Sequence, residues 1–240
     1  MRIQQNSTFL LSMVHRIVAG SLVPAAFQRP YVWSRDDVLA LCTSILERYP
    51  LGGFLSWAPG PYANVATLAR NRLGPIMLQQ DAKWPALLLD GQNRLASLAW
   101  MLRDMDTPLP EDLSDSERAT WGGDEELIIE LTTRELRFVN REEANVGLRL
   151  PAAAVFDSRK ANMLVRMRWD REWAGFSEEA RDNGLRVLDE CSDAFREARI
   201  VETVLEEATT AEARQAFLHI CRTGVPMSQV DFDAAIGWTE

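Results

Sequence analysis

The densest chemistry of this chain sits in a turn between an apolar run and a helix pattern. Leu87-Leu88-Leu89 ends at Asp90-Gly91-Gln92-Asn93-Arg94, and Leu95, Leu98, Ala99 and Leu102 follow at helical spacing. A buried strand is expected to enter a helix directly through this turn. Such a turn aims free backbone N–H groups and the positive end of a helix dipole at one point. Gly91 allows close backbone approach to a ligand. Gln92 and Asn93 offer amide donors, and Arg94 offers a planar fork suited to phosphate. Asp90 could hold Mg²⁺ or orient a water. The parts are those of a phosphate site. The simpler alternative makes Asp90 a helix cap and Arg94 half of a surface ion pair. Spacing leaves both open.

A second polar-aromatic segment, Phe27-Gln28-Arg29-Pro30-Tyr31-Val32-Trp33, precedes a helix that starts at Ser34. An arginine before proline is held extended. Alternation then sends Gln28 and Pro30 to one face, and Arg29 and Tyr31 to the other. Tyr31 or Trp33 beside a guanidinium could stack a base or contact a modified phosphodiester. The competing reading packs Phe27 and Trp33 under a sheet and leaves Arg29 alone facing the site. If the two motifs make one site, Gln28 and Arg29 lie beside Asp90 to Arg94.

Together these segments resemble the N-terminal domain of GmrSD-type restriction endonucleases, a ParB/sulfiredoxin-like fold. That family has an aromatic residue followed by Gln-Arg, an aromatic pair and a helix. Then come Tyr-Pro-small-Gly and a strand, matched here by Tyr49-Pro50-Leu51-Gly52 and Phe54-Leu55-Ser56-Trp57. An Asp-Gly-Gln-Gln-Arg motif follows, with Asn93 in its fourth place here. A late stretch is matched by Phe217 to Ser228, which contains Thr223-Gly224-Val225-Pro226-Met227-Ser228. Asn93 shortens the family's glutamine by a methylene. Cys221 replaces an asparagine, removing a donor and an acceptor. Both departures bear on catalysis more than on ligand binding. The resemblance implies nucleoside triphosphate binding by Gln28, Arg29, Gly91, Gln92, Asn93 and Arg94. It implies Asp90 and Arg94 as the catalytic pair if hydrolysis occurs, with Asp90 toward Mg²⁺. It also implies a separate HNH-type nuclease as partner and modified DNA as a target.

Composition bounds the remaining possibilities. The 240 residues suit one large domain or two small ones, and 47% hydrophobic with 25% charged residues is ordinary for a globular protein. A net charge of −9 argues against a broad non-specific grip on DNA. The densest positive region, Arg159, Lys160, Arg166, Arg168 and Arg171, reads as a solvated face balanced by Asp157, Asp170 and Glu172. Cys42, Cys191 and Cys221 are few, scattered and in apolar stripes, as expected of core thiols in a reducing compartment. With His15 and His219 as the only histidines, no zinc or nuclease centre is expected. His219 reads as a partly buried, hydrogen-bonded residue. No signal peptide and no membrane span are expected, so the expected location is cytoplasmic.

The elements that must position these residues follow from patterning. Ser7 is expected to cap a first helix that stops at Gly20, and Leu22-Val23-Pro24 reads as a short edge strand. Ser34, with Asp36 and Asp37 in the first turn, starts a helix whose apolar stripe is Val38, Leu41, Cys42, Ile45 and Leu46. Residues 58–84 read as loop with a helical turn at 65–72, and 106–124 as an exposed connection. Glu126–Thr133 and Leu136–Asn140 read as paired strands. Beyond residue 156 the pattern is helical, apart from a final strand at Ile200–Leu205. Ser228 is expected to cap a last helix.

The expected fold is therefore α+β: a small mixed sheet with flanking helices, continuing into a mostly helical C-terminal part. A division into 1–155 and a helical part at 156–240 packed on it follows, with a single structural unit as the alternative. The expected function is a nucleotide-binding sensor of a prokaryotic anti-phage restriction system, with weak NTP hydrolysis as an option and no nuclease activity of its own. The alternative is a non-hydrolysing ParB-like adaptor for DNA or a partner protein.

Overall fold

The computed structural model describes residues 1–60, 65–77, 86–103 and 107–223. The chain forms two compact units, one of Met1–Tyr31, Gly52–Ala99 and Arg199–Glu240, the other of Val32–Leu51 and Trp100–Ala198. In chain order the elements are β1 (Arg2–Phe9), α1 (Leu10–Val18), β2 (Leu22–Pro24), α2 (Arg35–Leu46), β3 (Gly53–Ala58), α3 (Val65–Leu68), β4 (Arg72–Leu73), β5 (Ile76–Met77), β6 (Ala86–Asp90) and α4 (Gln92–Leu102). Then follow α5 (Asp115–Trp121), β7 (Glu125–Glu130), β8 (Glu135–Asn140), β9 (Arg149–Pro151), a 3-10 turn (Ala152–Val155), α6 (Ser158–Trp169), α7 (Glu178–Glu197), β10 (Arg199–Glu206) and α8 (Thr210–Thr223).

The first unit is built on a five-stranded sheet of order β1-β10-β3-β6-β2. It is mixed: β10 runs parallel to β3 and β2 parallel to β6, while β1–β10 and β3–β6 are antiparallel. Leu87, Leu88 and Leu89 are fully buried, so β6 is covered on both faces, as a continuous apolar run requires. Pro24 sits on the edge strand β2, where a missing N–H does no harm.

Ser7 caps nothing. It lies in β1 opposite Val201, and α1 starts at Leu10 without a side-chain cap. The eight-residue ladder between β1 and β10 satisfies more backbone groups than one extra helical turn would. Gly20, at φ 69°, ends α1 as expected.

The division at residue 155 does not coincide with these units. β10 lies between β1 and β3 and so returns the C-terminal region to the first sheet.

The second unit holds a three-stranded antiparallel sheet, β8-β7-β9, with α2, α5, α6 and α7. The α2 stripe is buried as expected, and Ser34 with Asp37 closes a capping box at its start. Residues 106–124 are more than a connection. Ser114 and Glu117 form a second capping box, and α5 buries Glu117, Thr120 and Trp121. That Ser-x-x-Glu spacing was the signal, masked by the surrounding prolines and acids. In the basic region, Asp157 caps α6 through the Arg159 and Lys160 amides. Arg168 is not on a solvated face: it is buried and donates to the Arg149 carbonyl and the Asn145 amide oxygen. His219 is exposed. Ser228 and residues 224–240 lie outside the described residues. Among the described residues, no helix is long and apolar enough to cross a membrane.

Candidate functional site

β6 delivers Asp90 to the end of the sheet, and α4 begins two residues later. The register against β3 slips here: Ser56 faces Leu88 but Leu55 faces Asp90, so β6 bulges at Leu89. Bulges commonly re-aim a side chain at a strand end. Gly91 then takes φ 99°, a conformation closed to side-chain-bearing residues at ordinary cost. A Cβ there would also fall 2.2 Å from the Phe54 ring. The Leu95 amide donates to the Gly91 carbonyl at 3.0 Å, so Gly91, not Asp90, holds the cap position of α4.

Arg94 returns across the turn. One of its terminal nitrogens donates to the Gly53 carbonyl at 2.7 Å and to Asp90 Oδ2 at 3.2 Å. Its guanidinium lies 4.3 Å from the Phe54 ring centroid. The side chain is only 16% exposed, against 41% for Asp90. Burial lowers the Arg94 pKa, and the Asp90 charge opposes that shift. This is neither a surface ion pair nor an unengaged fork. Arg94 braces the turn against the start of β3. Gly52, at φ 75°, makes room for it: a Cβ at Gly52 would lie 2.9 Å from an Arg94 nitrogen. Gly52, Gly53 and Phe54 were not singled out as site residues, although they lie in a block that resembles the family.

The other expected residues divide. Gln28 is buried, and its side-chain amide donates to the Leu88 carbonyl, two residues before Asp90. Arg70, missed in the sequence, donates to the Gln28 carbonyl. The Gln28 side chain thus holds the strand that leads into the turn. Arg29 is half-buried. Tyr31 is buried, with its hydroxyl 2.9 Å from Ser97 Oγ on α4, so its ring is core rather than a stacking platform. Phe27 is buried and packs on Phe217 of α8. Trp33 belongs to the second unit, where its carbonyl accepts from Thr120 Oγ1 at 2.8 Å. Gln92 and Asn93 are half-buried, and the Gln92 side-chain oxygen is buried without a hydrogen-bond partner among the described residues. Among those residues no group of three His, Cys, Asp or Glu side chains could hold a metal.

On the same sheet, Glu202 of β10 is buried and accepts from Arg16 at 2.7 Å and from Ser56 at 2.6 Å. Nothing in the sequence pattern marked this polar cluster, because its three members are distant in the chain. A buried carboxylate needs such partners.

An uncharacterized protein of Methanocaldococcus jannaschii is 29% identical to this chain over 113 residues, 45% of this chain and 19% of that protein. The match therefore spans about a fifth of that relative's length. The family model described as "GmrSD restriction endonuclease, N-terminal domain" matches residues 10–236, nearly the whole chain. The chain belongs to the GmrSD restriction endonuclease N-terminal domain family.

Proposed function

We propose that this chain is a nucleotide-binding regulatory module of a prokaryotic restriction system, acting with a separate nuclease of the HNH type. The family supports the restriction setting. The observation that carries the nucleotide reading is the braced turn at Asp90–Arg94. It opens an 11-residue helix at Gly91, where a backbone with no side chain lies at the positive end of the helix dipole. The half-exposed Asp90 carboxylate stands beside it. Mg²⁺ is commonly held by one or two carboxylates, with phosphates and water completing its shell, so a single Asp90 fits that role. Gln92 and Asn93 follow on the first turn of α4 as donors. The reading includes a ParB/sulfiredoxin-like assignment for the mixed sheet and modified DNA as the signal sensed.

One observation favours a second reading, an adaptor that binds without hydrolysis. Arg94 is already engaged by Gly53 and Asp90, which suits shaping a turn better than stabilising a transition state. Calorimetric titration with ATP and GTP, with and without Mg²⁺, beside a phosphate-release assay, tests both. The expected result is saturable triphosphate binding that Mg²⁺ strengthens. Asp90→Asn is expected to keep the Mg²⁺-free affinity while losing the Mg²⁺ gain and any hydrolysis. Binding without phosphate release selects the adaptor. Absence of binding by either triphosphate refutes the nucleotide reading.

A further inference from the structure

The sheet of the first unit ends on β1 at one side and on β2 at the other, and the two edges differ. An edge strand turns a row of unpaired N–H and C=O groups outward, a template for another chain. Folded proteins blunt such edges with short strands, proline, charge or bulges. β2 is blunted: it has three buried residues and ends at Pro24. β1 is not. It runs eight residues, Arg2–Phe9, against about 5–6 for a common strand. Its ladder with β10 passes through all eight without a bulge. It contains no proline, and its one charge, Arg2, pairs with Glu206 at 3.6 Å. Among the described residues no strand covers its outer edge. Alternation puts Ile3, Gln5, Ser7 and Phe9 on one face. All four are exposed, Ile3 at 57% and Phe9 at 40%. Val201 of β10, opposite Ser7, adds a further exposed apolar side chain to that face.

The residues of this strand select its occupant. Residues directly opposite in an antiparallel pair share a face of the sheet. Two copies of one strand therefore pair only in registers that match like faces. Centred on Asn6, such a register sets Ile3 against Phe9 of the second copy, once at each end. Gln5 then faces Ser7, Gln4 faces Thr8, and Asn6 faces its own copy. The two exposed apolar side chains of the strand meet each other, and every other pair is polar and uncharged. The two Arg2 side chains lie at opposite ends, so no like charges meet, in a chain whose net charge is −9. We propose that two copies of this chain join through β1, antiparallel about a twofold axis at Asn6, so that their five-stranded sheets continue edge to edge. A strand of different sequence would have to supply this pattern separately, whereas a second copy supplies it by symmetry. The pairing uses no residue of the Asp90–Arg94 turn and does not rest on the nucleotide reading.

Analytical ultracentrifugation of the full chain over roughly 1 μM to 1 mM tests it, since a single strand pair makes a small interface and small interfaces are weak and reversible. The sedimenting mass should rise with concentration toward that of two chains. Hydrogen exchange of the β1 amides should slow over the same range. Gln5 and Ser7 are exposed and face each other across the twofold, so folding should persist in their variants, as far-UV circular dichroism would show. Gln5→Lys with Ser7→Lys sets two like-charged pairs across the interface and should weaken self-association roughly 2- to 30-fold. Gln5→Glu with Ser7→Glu should do the same. An equal mixture of the two double variants should associate more tightly than either alone. A chain that stays monomeric to about 1 mM overturns the proposal and leaves β1 open to a strand of another protein. Self-association that both folded double variants retain unchanged overturns it too, because the contact then lies elsewhere. So does a mixture no tighter than its components, or β1 exchange that ignores concentration.

Discussion

Replacing Arg94 with alanine removes three contacts at once, and their sum separates a brace from a surface ion pair. The hydrogen bond to the Gly53 carbonyl, at 2.7 Å, is charge-assisted and contributes about 1.5–3 kcal/mol. The stacking on Phe54, at 4.3 Å, adds roughly 0.5–1 kcal/mol. The pair with Asp90 adds little, because Asp90 is 41% exposed and solvent screens it. Arg94→Ala should therefore destabilise the protein by about 2–4 kcal/mol, whereas losing an exposed ion pair would cost under about 1 kcal/mol. Arg94→Lys should recover only part, since an ammonium neither stacks nor forks as a guanidinium does. Asp90→Asn should cost under about 1 kcal/mol, because it removes only the screened pair. Urea unfolding of the three variants, followed by far-UV circular dichroism, gives the ranking. If Arg94→Ala and Asp90→Asn destabilise equally, and both by under about 1 kcal/mol, the brace does not exist and the turn is held by its backbone alone.

Gly91→Ala should be destabilising for two separable reasons, a φ of 99° and a Cβ set 2.2 Å from the Phe54 ring. Adding Phe54→Ala should relieve the clash but not the backbone strain of about 1–3 kcal/mol; a fully additive double-mutant cycle would contradict the geometry. Burial pushes the Cys42 thiol up to about 12 and the Cys191 thiol up to about 11. An unfolded thiol ionises near about 8.5, so these two contribute stability that is intact below that pH and declines as pH rises toward their native values. Mass-mapped alkylation at pH 8 should leave both unlabelled until denaturant is added, and prompt native labelling of either would count against its burial.

The sequence by itself determined the local elements near the candidate site. Leu87 to Leu89, an apolar run ending at a polar turn, read as a buried strand, and helical spacing from Leu95 onward set α4 after it. Ser34 with Asp36 and Asp37 placed the start of α2, and Gly20 the end of α1. These are near-neighbour effects, in which periodicity, caps and backbone freedom act within a few residues. Family membership was legible too, as ordered motif blocks.

The tertiary structure decided which residues share a neighbourhood. It alone placed β10 between β1 and β3, and with that ladder drew Ser7 out of a helix and into a strand. It set the Gly53 carbonyl and the Phe54 ring under Arg94, turning an expected phosphate fork into a brace. It buried Tyr31 against Ser97 and gathered Arg16, Ser56 and Glu202 from three distant segments. None of these has a local signature. Each depends on strand order and register, which are settled by burying apolar surface and pairing backbone groups across the whole sheet.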